Sequence, residues 1–247
     1  MDSIRRTIVR TLGFCALSSF ALAGDHPHWS YSGLSGPEHW GDLAPEYIQC
    51  KVGVNQSPVD ITHTIDAELP PLRLDYHGAT TEVINNGHTV QINVEPGNTL
   101  QVDGDVFELQ QFHFHSPSEH RFKGSSFLME LHLVHANSRG ELAVIGVLYE
   151  SGETNPKLAQ LGDVIPDAVN EPARFSVPLT DLGFVAEVDA YYRYNGSLTT
   201  PPCSEGVRWF VVAEPRTISI KRQQAFIDLI GEDARGPQPL NARVILD

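Results

Sequence analysis

The chain has 247 residues, 41% of them hydrophobic and 19% charged, with a formal net charge of −14 at pH 7. That length buries a full core and allows one or two domains, and the acidic balance makes nucleic acid and anionic membrane surfaces poor partners. High negative charge mostly reports solubility, so it singles out no partner.

At the N-terminus, Arg5, Arg6 and Arg10 flank the start of an apolar run from Thr11 to Leu22, and Ala21-Leu22-Ala23 is followed by Gly24. This is the three-part layout of a cleaved secretory signal. The alternative, a membrane anchor, fails on length, since a spanning helix needs ~20 apolar residues. A lipoprotein signal at Cys15 would want a small residue where Phe14 stands. The expected organisation is therefore a signal over residues 1–23 and one mature domain over 24–247, periplasmic or secreted, with no membrane attachment once the signal is removed. Cleavage takes away three arginines and one aspartate, so the net charge becomes −16. Cys15 leaves with the signal, and Cys50 and Cys203 remain in a compartment where thiols oxidise. One disulfide is expected, two free thiols being the alternative. The bridge would close a loop of more than 150 residues, which a chain-entropy treatment values at about 5 kcal/mol.

Beyond the signal there is no Ser/Gly linker, low-complexity block or repeat, so a single domain is expected. In chain order, alternating or apolar segments run over Val83–Val94, broken by Asn85-Asn86-Gly87; over Thr99–Val102, ended by Asp103-Gly104-Asp105; and over Leu109–His115, Phe127–His135, Leu142–Tyr149, Tyr191–Tyr194 and Val207–Ala213. Such segments between turn residues read as strands. Helix signals are confined to Asn155–Leu161, with Pro156 at a first helical position, and Ile220–Leu229, with Gly231 just past its end. The fold class is mainly β.

Along Leu109–His115, period-2 alternation puts Leu109, Gln111, His113 and His115 on one face. Along Phe127–His135 it puts Glu130, His132 and Val134 together, opposite Leu131, Leu133 and His135. The Ser-, Pro- and Gly-rich connection Ser116–Ser126 lets the two strands lie antiparallel, which brings His132 beside His113 and His115. Three neutral imidazoles with an open fourth position are what a catalytic zinc requires. Gln111 and Glu130 can accept the second ring N–H of a ligand histidine. His113-x-His115-x-x-x-Glu119 also matches the first motif of cupins, but Phe107 and Ser126 stand where that motif needs glycines, and its second half is absent. In a cupin, Glu119 would touch the metal.

The segments His28-Trp29-Ser30-Tyr31, Gly36-Pro37-Glu38-His39-Trp40, Asn55-Gln56-Ser57-Pro58, Asn85-Asn86-Gly87-His88, Gln111 to His115, Ser118-Glu119-His120, Glu130 to His135 and Gly196 to Cys203 resemble, in order, those of the α-carbonic anhydrases. The match runs from about His28 to Asn241. It implies a central, mostly antiparallel twisted sheet of about ten strands with peripheral short helices. It also implies reversible hydration of carbon dioxide to bicarbonate through a zinc-bound hydroxide.

By this resemblance His113, His115 and His132 are the Zn2+ ligands, supported by Gln111, Glu130 and the backbone around Asn241. Thr199 resembles the threonine that donates to Glu119 while accepting from the hydroxide. His88 resembles a proton shuttle; from its sequence context alone it reads as a surface histidine in an Asn-Gly turn. Val134, Val144, Leu198, Val207 and Trp209 resemble the apolar wall that receives carbon dioxide, although by themselves they read as core residues. Tyr31, Asn86, Gln91 and Thr200 resemble the hydrophilic side that orders water, and Thr200 also borders the substrate. Cys50–Cys203 matches a disulfide of secreted members, and Ser57-Pro58 and Pro201-Pro202 resemble cis bonds. The expected partners are carbon dioxide and bicarbonate, with a homodimer as the expected assembly. A non-catalytic binding module of the same family is the rival reading; it predicts loss of ligand histidines, and all three are present.

Overall fold

A computed structural model describes residues 27–183 and 187–247. The expected signal over residues 1–23 lies outside the described residues. Among the described residues twelve strands form one large sheet, numbered in chain order. They are β1 (Leu72–Asp75), β2 (Thr80–Asn85), β3 (Val90–Val94), β4 (Thr99–Val102), β5 (Asp105–His115), β6 (Met129–Ala136), β7 (Leu142–Ser151), β8 (Pro172–Arg174), β9 (Glu187–Val188), β10 (Tyr191–Ser197), β11 (Glu205–Val212) and β12 (Arg216–Ile218). The main order is β8-β2-β3-β5-β6-β7-β11-β10; β4, β1 and β9 extend from β5, and β12 joins β7. All pairings are antiparallel except β7 with β11 and β7 with β12. A small sheet of Asp60–Ile61, Arg121–Phe122 and Ser125–Ser126 stands apart from it.

The turns form for local reasons. Asp103 and Gly104 both take positive φ, 54° and 79°, between β4 and β5, as a tight two-residue hairpin demands. Between β2 and β3, the Asn86 Oδ1 accepts from the main-chain N–H groups of His88 and Thr89 at 3.0 and 2.9 Å. Helix α1 (Pro156–Gly162) begins at Asn155, whose side chain accepts from Lys157 and Leu158 N–H. Helix α2 (Ile220–Ile230) is capped by Ser219 and stops at Gly231, φ 89°. Both caps satisfy donors that the first helical turn leaves unpaired.

One face of the sheet carries the main core, with Phe107, Leu109, Phe112, Phe114, Leu131, Leu133, Ile145 and Phe210 packed beneath α1 and α2. The opposite face carries a second apolar cluster of Val59, Ile61, Val144, Leu148, Tyr194, Val207, Trp209, Val211 and Ile245. One expectation fails here. Leu109 does not share a face with Gln111, because the β5–β6 register shifts between Leu109 and Gln111. The bulge sends Leu109 to the core with Phe107 and Phe112, and leaves Gln111, His113 and His115 on the other face.

Candidate metal centre

His113 of β5 lies directly across from His132 of β6 in the antiparallel register, and His115 is two residues further along the same face. One ring nitrogen from each of the three lies within 4.8 Å of the others. The ring centroids are 4.6 to 5.3 Å apart. His115 and His132 are buried, and His113 is partly exposed.

The other nitrogen of each ring is spoken for. His113 Nδ1 donates to Gln111 Oε1 at 2.9 Å, His115 Nδ1 to the Asp233 carbonyl at 2.8 Å, and His132 Nε2 to Glu130 Oε1 at 2.9 Å. These acceptors assign the tautomers. The lone pairs of His113 Nε2, His115 Nε2 and His132 Nδ1 are thereby turned toward one another. Among the described residues His115 Nε2 is a buried nitrogen with no hydrogen-bond partner, an arrangement a metal ligand explains and a structural histidine does not. Gln111 and Glu130 are the side chains that meet the His113 and His132 rings. The expectation for Asn241 is wrong: its side chain donates to the Val54 carbonyl, and the carbonyl that orients His115 belongs to Asp233. No local pattern signals this, since the partners are 118 residues apart.

Burial drives His113 well below the usual imidazole range, helped by repulsion from His115 and His132. It lowers His132 too, against the pull of Glu130. Burial also opposes charge on His115, but the Glu119 and Asp233 carboxylates raise it. Asp233 itself is pushed up to about 7, by burial first.

Glu130 is fully buried and accepts four hydrogen bonds, from the N–H groups of Glu119 and His120 and from the rings of His120 and His132. Burial works against its charge, but the two histidines hold its carboxyl well below the ordinary carboxylate range. His120 bridges Glu130 and the Tyr194 hydroxyl. Gly146, which the sequence did not single out, faces His132 from β7. A Cβ there would lie 2.8 Å from Glu130 Oε1.

Glu119 is outside the three-histidine cluster. Its Oε1 accepts from the Arg235 N–H at 2.8 Å, while Oε2 is buried without a hydrogen-bond partner among the described residues, 3.6 Å from His115 Nε2. The hydrogen bond expected from Thr199 to Glu119 is therefore not formed, although Thr199 is buried. Its loop, Leu198 to Cys203, is turned back by a hydrogen bond from Cys203 N–H to the Thr200 carbonyl and tied by the Cys50–Cys203 disulfide. Cis peptide bonds occur at Ser57-Pro58 and Pro201-Pro202 as expected, and also at Ser116-Pro117.

Val144, Val207 and Trp209 belong to one apolar cluster, with Val134 and Leu198 packed against it. Trp209 presents its ring to His132 at 4.8 Å between centroids. On the polar side, Gln91 pairs in register with His113, and the buried Tyr31 hydroxyl has no hydrogen-bond partner among the described residues. Asn86 is engaged in holding the turn that carries His88. The His88 ring stacks on Trp29, 3.8 Å between centroids and 7° between planes. Burial lowers its pKa, with further help from His28.

Residues 35–247 match the family model described as eukaryotic-type carbonic anhydrase. The chain is 43% identical to a carbonic anhydrase of Pectobacterium carotovorum over 92% of this chain and 93% of that one. An α-carbonic anhydrase from Thermovibrio ammonificans, solved with the inhibitor sulfanilamide, superposes with a TM-score of 0.86 at 42% identity, over 90% of this chain and 100% of that one. A dioscorin solved with ascorbate superposes at 0.80 with 33% identity, over 89% and 97% of the two chains.

Proposed function

The chain belongs to the eukaryotic-type carbonic anhydrase family, and we propose that it is a zinc enzyme that interconverts carbon dioxide and bicarbonate. The observation that carries this reading is the set of three imidazoles, each with one nitrogen fixed by an acceptor and the other free within 4.8 Å of its neighbours. A zinc ion fits a donor set of three neutral nitrogens, and when bound it makes water a nucleophile at neutral pH. A relative of this chain is named dioscorin, so similarity alone does not carry the chemistry; the intact histidine set supports the zinc reading.

The remaining roles fall to the protein's own groups. Val134, Val144, Leu198, Val207 and Trp209 offer an apolar receiver for a linear nonpolar substrate beside the cluster. Glu119 Oε2, buried and unpartnered, is placed to accept a hydrogen bond from a donor at the site. Thr199 supplies a buried hydroxyl on the loop before Cys203, a group that both donates and accepts. His88, on the polar side with Tyr31, Gln91 and Thr200, carries protons outward, its lowered pKa letting it release them readily. We further propose a periplasmic or secreted location; the Cys50–Cys203 bridge supports it, since disulfides persist in oxidising compartments.

The test is stopped-flow carbon dioxide hydration with metal analysis of the purified mature protein. One zinc per chain, activity removed by a chelator and restored by zinc, is the expected result. A zinc-loaded, folded protein without hydration activity would refute the enzyme reading in favour of a binding module.

A further inference from the structure

Residues 233–235 reach the metal centre twice through their main chain. The Asp233 carbonyl accepts from His115 Nδ1 at 2.8 Å, and two residues later the Arg235 N–H donates to Glu119 Oε1 at 2.8 Å. The segment is pinned to the end of β5 on one side, by Asp233 N–H to the Ser116 carbonyl at 3.1 Å and by Ser116 N–H to Asp233 Oδ1 at 2.7 Å. On the other side it is held by the Arg235 side chain, which is 2% exposed.

That side chain is a fork with three acceptors. Nη1 donates to Gln56 Oε1 at 2.9 Å and to the Ser57 carbonyl at 2.8 Å, and Nη2 donates to the Cys50 carbonyl at 3.2 Å. Gln56 in turn donates from Nε2 to the Cys203 carbonyl at 3.0 Å. The carbonyls of both half-cystines therefore sit on one polar chain that ends at the guanidinium. Burying a charge is a poor way to gain stability, since a well-packed apolar side chain of similar volume does as well or better. A rigid, planar fork with fixed donor directions supplies orientation instead.

We infer that Arg235 is a positioning residue that couples the Cys50–Cys203 bridge to Glu119 and His115. The guanidinium fixes the segment against the disulfide, and the main chain of that segment fixes the carboxylate and the imidazole. This inference rests on the metal-centre reading above. Opening the bridge would then disturb the centre from two sides, through the Thr199–Cys203 loop and through Arg235.

The test compares the mature wild type with Arg235→Met and Arg235→Lys, each in disulfide and reduced form. Three quantities are followed: melting temperature, the visible band of bound cobalt(II) with its pH midpoint, and kcat/KM for hydration. Arg235→Met is expected to shift the cobalt midpoint and to lower kcat/KM by about ten- to hundredfold, the usual range for groups that orient metal ligands. Arg235→Lys, which keeps the charge but not the fork, should fall between. Reduction should lower kcat/KM severalfold in wild type and by a clearly smaller factor in Arg235→Met, where only the loop route remains. If Arg235→Met does not fold, Arg235→Lys carries the same comparison. An unchanged cobalt midpoint and kcat/KM with only a lower melting temperature would overturn the inference, as would reduction effects that multiply undiminished across the variants. A wild type that binds cobalt but shows no hydration would instead sink the proposed enzyme function.

Discussion

Replacing Glu130 with glutamine is expected to weaken zinc binding far more than it weakens the fold. Oε2 of Glu130 accepts from the N–H groups of Glu119 and His120 at 3.0 and 2.8 Å, and Oε1 accepts from the His120 and His132 rings at 2.7 and 2.9 Å. Glutamine has one accepting oxygen, and the main-chain N–H groups cannot become acceptors. The amide oxygen must therefore stay with the main chain, and the NH2 must face the rings. His132 Nε2 then has to accept, which moves its proton to Nδ1, the atom turned toward His113 and His115. A protonated nitrogen cannot ligate a metal. Gly146 leaves the room that the Glu130 side chain occupies, since a Cβ there would lie 2.8 Å from Oε1. The expected loss is about ten- to hundredfold in zinc affinity, or about 1.4 to 2.7 kcal/mol. Competition with a chromogenic chelator at pH 7.5, with folding followed by circular dichroism, measures it. Wild-type affinity in a folded Glu130→Gln protein would show that the tautomer argument is wrong.

His88→Ala is expected to lower turnover in dilute buffer by about tenfold or more while leaving zinc content and kcat/KM nearly unchanged, with imidazole buffer restoring the rate; turnover independent of buffer in both proteins would refute the relay. Replacing both Cys50 and Cys203 by serine should cost about 2–5 kcal/mol in urea unfolding, given a bridged separation of 153 residues, and an unchanged unfolding midpoint would count against it. His135 is buried, donates from Nδ1 to the Ala143 carbonyl and pairs Nε2 with the Tyr76 hydroxyl; burial depresses its pKa from 6.5 to about 4. Because the unfolded chain takes up that proton first, the stability is complete above pH 6.5 and is lost as the pH falls toward 4, by at most about 3 kcal/mol. Urea unfolding at pH 7 and pH 4.5 should show a smaller difference for His135→Gln than for wild type, and equal pH slopes would remove His135 from the explanation.

The strand positions of His113, His115 and His132 were legible from alternation alone, because their segments are regular near the histidines and the register places His113 opposite His132. The two helix starts were legible for a similar reason, since Asn155 and Ser219 act on donors two or three residues away. Leu109 was misplaced because a bulge is a feature of a strand pair, and a single strand's pattern does not contain it. The Thr199–Glu119 contact came from resemblance, and the side chains are not joined here.

The sequence by itself determined the chemistry available: which side chains can ligate, accept, stack and bridge, and which of them share a strand face. Only the tertiary structure decided how each imidazole is turned. His115 is oriented by the Asp233 carbonyl and Glu119 by the Arg235 N–H, and both groups are main-chain atoms. Every residue type but proline carries that same carbonyl and N–H, so no residue type marks where the chain returns to supply them; only folding brings a distant segment back to the site.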